Sequence, residues 1–127
     1  MKKKIVSVVR YEKPFESVKK AVELCGGLMD ITAGTKVFIK PNVVFWNKNT
    51  VFPPWGVITT SRVVQDMVAL LAQNGVSNIT IGEGSVLADP LDHETATHAF
   101  ETLGYNRLAA RYGVKVVNVM ERPFKKM

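Results

Sequence analysis

TSRVVQDMVALLAQNGVSNITIGEG, residues 60–84, holds a helix, its stop and the strand that follows. Val63, Val64, Met67, Val68, Leu70 and Leu71 recur at the spacing of one broad helical stripe, and Thr59, Thr60 or Ser61 stands where a capping side chain belongs. Asn74-Gly75 ends the pattern. Asn78-Ile79-Thr80-Ile81 then reads as a strand, cut off by Gly82-Glu83-Gly84-Ser85, whose two glycines tolerate positive φ. A helix that feeds a strand without a hairpin signal is half of a parallel crossover unit.

The same alternation extends in both directions. Upstream, Lys36–Ile39 forms a strand that Lys40-Pro41-Asn42 terminates, because proline cannot donate to a sheet ladder. Further upstream, Ile5–Val9 is short and β-branched, and Pro14 suits the first turn of a helix. That helix carries Phe15, Val18, Ala21, Val22 and Cys25 and stops at Gly26-Gly27. Downstream, Asp92 caps a helix with Ala96, Ala99, Phe100 and Leu103 on one face, and Gly104 separates it from a short segment, Tyr105–Tyr112. Gly113 ends that segment before a last strand, Val114–Val119. The expected fold is α/β, with residues 1–127 as a single domain. It is an open, mostly parallel sheet of about four strands with helices on both faces, a Rossmann-like three-layer arrangement. After the last strand the tail from Glu121 to Met127 has no capping element, and it reads either as a frayed terminus or as the start of further structure.

Composition removes several function classes. With 46% hydrophobic and 22% charged residues the chain has the make-up of a folded domain. Net charge is +6, yet the basic residues are scattered over Lys2–Lys4, Lys19-Lys20, the helix surface of Arg107 and Arg111, and Lys125-Lys126. No basic stripe with interleaved aromatics results, and no nucleic-acid partner is expected. No apolar run nears the ~20 residues that span a bilayer, so no membrane role and a cytoplasmic location are expected. Cys25 is the lone cysteine, which excludes an internal disulfide and an iron-sulfur cluster held by this chain alone. Its place on the apolar side of the first helix predicts a small buried hydrophobe.

In an open parallel sheet, ligands sit beyond the carboxyl ends of the strands. Lys40 stands at one such end and Glu83 at another. An ammonium there needs an anion, a carboxylate or water, and Glu83 is a candidate carboxylate if the two strands are neighbours, in either a structural ion pair or a ligand-facing one. Asn42 either braces its own turn or reaches a ligand, and Gly84 and Ser85 extend a turn that could present N–H groups and a hydroxyl to an anion. The glycines lack the full dinucleotide-binding spacing. His93 and His98 are five residues apart, about 140° around a helix, which rules out the zincin arrangement, and no metal site is expected. Asp89, Asp92 and Glu94 suit the positive end of a helix. The long connection 43–58 carries Phe45, Trp46, Phe52 and Trp55 beside Pro53-Pro54. Such a load either folds back on the domain's own core, covers a crevice, or packs on a second domain or subunit.

KVFIKPNVV at 36–44, Gly56-Val57 with Thr59-Thr60 before the central helix, Gly82-x-Gly84, and Phe100-x-x-x-Gly104-Tyr105 together resemble the amino-terminal half of the "domain of unknown function 362" family. The resemblance implies a prokaryotic protein without an assigned reaction. Many relatives are longer and carry a ferredoxin-like iron-sulfur module, for which this chain has no ligands, so a second domain following this one is an expectation. No catalytic residue is transferred. The expected function is binding of a small anionic metabolite by Lys40, Asn42, Glu83, Gly84 and Ser85, as part of a redox or metabolic enzyme of unknown cofactor. The alternative is an assembly module in which Trp46, Phe52 and Trp55 dock a second copy or another partner.

Overall fold

A computed structural model of the chain describes residues 4–84, 92 and 94–121. Among them three strands, β1 (Lys36–Ile39), β2 (Asn78–Glu83) and β3 (Lys115–Asn118), form a fully parallel sheet in the order β1-β2-β3. Helix α2 (Ser61–Gln73) connects the first pair, and α3 (Glu94–Thr102) and α4 (Tyr105–Tyr112) connect the second. Helix α1 (Glu16–Leu24) precedes the sheet and packs on α2. The α/β class and the parallel crossovers therefore stand.

The register explains where the core sits. Ile39, Ile81 and Val116 are paired neighbours and share one face, while Phe38, Thr80 and Lys115 share the other. Ile79 and Ile81 pack with Val64, Val68 and Leu71 of α2, Ala99 and Leu103 beside α3, and Tyr105 and Leu108 of α4. Gly75, at φ 81, turns the chain from α2 toward β2 in a conformation that would strain any residue with a Cβ. On the opposite face Phe38 is 56% exposed and Val117 38%. Its ring crosses Gly82, where an added Cβ would lie 2.3 Å from the Phe38 Cζ.

Two expectations are corrected here. Helices do not cover both faces among the described residues, because the apolar stripes of α2, α3 and α4 all enter one core. Helix α1 buries only Ser17 and Val18 and leans on α2. Nor does Ile5–Val9 join the sheet: Ile5 is 67% and Val8 93% exposed. β-Branched residues fit a half-buried pleated surface but need a neighbouring ladder to form one. Here the segment is drawn along α1 instead. The Ser7 hydroxyl donates to the Ala21 carbonyl, and the N–H groups of Glu12 and Lys13 donate to Ser17 Oγ. Buried Asp66 on α2 completes the fastening by accepting from the Tyr11 hydroxyl and from Phe15 N, both at 2.7 Å. Those bonds hold Phe15 at φ 63, a backbone state bulky side chains rarely adopt.

Cys25 is a third correction. The helix ends at Leu24, so Cys25 falls in the turn and is exposed, its Sγ donating to the Val22 carbonyl at 3.3 Å. No helix among the described residues is long and apolar enough to cross a membrane.

Candidate functional site

β1 and β2 finish side by side, which brings the residues after them together. Glu83 is buried, and each oxygen of its carboxylate is occupied: Oε2 accepts from Lys40 Nζ at 2.8 Å and from Val43 N at 3.2 Å, and Oε1 accepts from Gly84 N at 2.9 Å. Burial pushes this carboxyl up. The hydrogen bond from Lys40, those from the Gly84 and Val43 N–H groups and the lysine's charge outweigh burial and leave the group below its ordinary value of 4.5. Glu83 is thus an anchored carboxylate. The Lys40 side chain remains 61% exposed, so the pair spans the boundary between core and solvent.

The remaining expected site residues divide. Asn42 braces its loop: its Nδ2 donates to the Val57 carbonyl at 3.1 Å, its N–H donates to Thr59 Oγ1, and its carbonyl accepts from Thr59 N at 2.7 Å. Gly84 spends its N–H on Glu83, and a Cβ at that position would lie 2.3 Å from Met120 Cγ. Neither Gly82 nor Gly84 takes positive φ. Close packing of Phe38 and Met120 is therefore the physical demand for glycine here. Ser85 lies outside the described residues, as do Asp89 and His93. Asp92 caps α3 by accepting from Glu94 N and Thr95 N through Oδ1. Among the described residues no group of three or more His, Cys, Asp or Glu could hold a metal ion.

The loop between β1 and α2 has two characters. Val43 and Ile58 are buried in the core, Trp46 packs against it, and the Trp46 indole donates to Thr102 Oγ1 at 3.0 Å with Phe52 edge-on at 6.3 Å. Trp55 is 67% exposed and Val51 97%. The first part folds back on the domain, and the second offers apolar surface to solvent.

Sequence reasoning missed Tyr105. Its side chain is fully buried and its hydroxyl has no hydrogen-bond partner among the described residues. Burial, and then the charge of Glu83, push the phenol up to about 12. The Gly104-Tyr105 pair was visible as a motif, but nothing in its spacing tells that the ring enters the core within the field of Glu83.

The sequence pattern of the family described as Domain of unknown function (DUF362) matches residues 37–127. That span is more than half of the chain, and the chain belongs to this family. No curated protein and no solved structure matches it.

Proposed function

We propose that this DUF362 member is a ligand-binding domain for a small anionic metabolite, with Lys40 as the contact and Glu83 as the group that positions it. The supporting observation is the Lys40–Glu83 pair itself, at the adjacent carboxyl ends of two parallel strands. An ammonium has three donors, and Glu83 takes one of them in the hydrogen bonds formed. A solvated lysine would lose several rotamers on meeting a ligand, whereas a tethered one has already lost them. Asn42 supports the reading indirectly by fixing the loop that starts at Pro41. The lone, exposed thiol suits a reducing, cytosolic setting.

Amide chemical shifts followed through a panel of small carboxylates and phosphates test the proposal. Saturable movement at Lys40, Val43 and Gly84 that Lys40→Met abolishes supports it. A panel that leaves these three amides still in the wild-type protein rejects it.

The exposed half of the loop favours a second reading, an assembly module. Trp55, Val51 and Val57 present apolar side chains within seven positions of one another, roughly the kind of surface that marks a partner site. Light scattering across concentration separates the two: association that Trp55→Ser removes supports docking through this loop, whether of a second copy or of a following domain supplied in trans. A monomer at every concentration, with no domain captured, rejects it.

A further inference from the structure

We infer that the groove between α2 and α4 is a second, independent anion site that takes a phosphoryl group. The groove encloses about 390 Å³ and is lined by Ser61 and Gln65 from α2, Thr102 from the end of α3, and Arg107 and Arg111 from α4. That volume is in the range of small-metabolite pockets. Arg107 and Arg111 are four residues apart on one helix, so their guanidinium groups share a face. Among the described residues neither meets a carboxylate: the three ion pairs are Lys19–Glu23, Lys40–Glu83 and Lys48–Glu94. Among the described residues no acidic side chain lines the groove.

The geometry favours a phosphoryl group over a simple charge. Each guanidinium offers a planar fork of donors that matches two oxygens of a tetrahedral oxyanion. Arg107 reaches back toward Gly104, its Nε 3.8 Å from where a Cβ would stand there. Arg111 is steadied by the Tyr112 ring, with its Cζ 5.1 Å from the ring centroid. Across the groove, the Ser61 hydroxyl and the Gln65 amide add neutral donors. The first turn of α2 also has no acidic residue, and its Thr60 cap makes no side-chain hydrogen bond, so the positive end of the helix dipole there is uncompensated. Leu103 and Leu108 form an apolar floor suited to the carbon skeleton of a phosphate monoester. This groove shares no residue with the Lys40 rim, so it stands or falls separately from the proposed function.

The test is a titration with inorganic phosphate at constant ionic strength, read at the Ser61, Arg107 and Arg111 amides. The full chain is compared with three variants: the double variant Arg107→Gln with Arg111→Gln, the double variant Arg107→Lys with Arg111→Lys, and Lys40→Met. Saturable shifts are expected in the wild type and in Lys40→Met with the same Kd. The glutamine pair weakens binding by roughly tenfold or more, as befits the loss of charge-assisted hydrogen bonds. The lysine pair, which keeps charge but loses the fork, falls between. Arg107, Arg111 and Lys40 are all exposed, and an unchanged amide spectrum away from the substituted positions confirms that the variants are folded. Equal affinity in the glutamine pair and the wild type overturns the inference, as does the absence of saturable movement across the millimolar range.

Discussion

Two polar groups lie buried behind the same rim, and the fold treats them in opposite ways. Glu83 receives three donors and stays ionised, while Tyr105, which feels the charge of Glu83, keeps a hydroxyl with no partner among the described residues. Proteins seldom leave a buried polar atom unpaired, and a buried charge persists only where several donors offset its desolvation. The contrast identifies Glu83 as the structural keystone of the rim and Tyr105 as a ring held for its volume.

Removing the better-satisfied group is the harshest way to test that contrast. Glu83→Ala strands the Gly84 and Val43 N–H groups and frees Lys40, and a loss of about 3 kcal/mol in urea unfolding is expected. Acid does the same reversibly. Because the Glu83 pKa is depressed in the fold, its contribution is complete above 4.5 and is lost as pH falls below that value through the folded pKa. Unfolding free energies measured from pH 6 down to pH 2 should therefore decline less steeply in Glu83→Gln than in the wild type.

A smaller effect probes the packing beneath the rim. Gly82→Ala meets the Phe38 ring and Val117, and about 1 kcal/mol is expected because the ring's far end can swing aside. The cost should shrink in a Phe38→Ala background, where only the Val117 contact remains. Tyr105→Phe tests the other half of the comparison: it removes an unpaired hydroxyl and keeps the ring, so stability should hold or rise by up to about 1 kcal/mol. The raised phenol pKa gives stability that is intact below 10 and lost as pH climbs toward about 12, and the phenylalanine variant should lack that alkaline decline. The smallest change is expected from Lys40→Met, about 0.5 kcal/mol, since an ammonium this exposed contributes little to stability.

Much of this arrangement was readable from residues alone, for identifiable reasons. The stripe from Val63 to Leu71 and the β-branched run after Gly75 are periodic signals strong enough to fix α2 and β2. Pro41 marks where β1 stops, whereas Gly82, read as the stop of the next strand, lies inside β2, which runs through Glu83; the pairing of β1 with β2, which no residue announces, is what brings Lys40 and Glu83 together. What was hidden depended on tertiary partners. Ile5–Val9 has strand composition, but whether a ladder awaits it cannot be told from the segment. Trp46 and Trp55 look alike in sequence, yet only Trp46 reaches the Thr102 hydroxyl. Helix stripes show that each helix buries a face, but not that three of them share one side of the sheet. The demand for Gly82 and Gly84 comes from Phe38 and Met120, which lie far away in sequence, and so a packing requirement resembled a turn.

The central claim is that the rim holds a permanent carboxylate that tethers an exposed lysine. Carbon-detected titration of the Glu83 carboxyl in the wild-type protein and in Lys40→Met tests it most directly. The account requires a wild-type pKa below 4.5 that moves upward when the lysine is replaced, since burial then faces only the two backbone donors. A wild-type carboxyl that titrates at or above its ordinary value, or one that ignores the loss of Lys40, contradicts it.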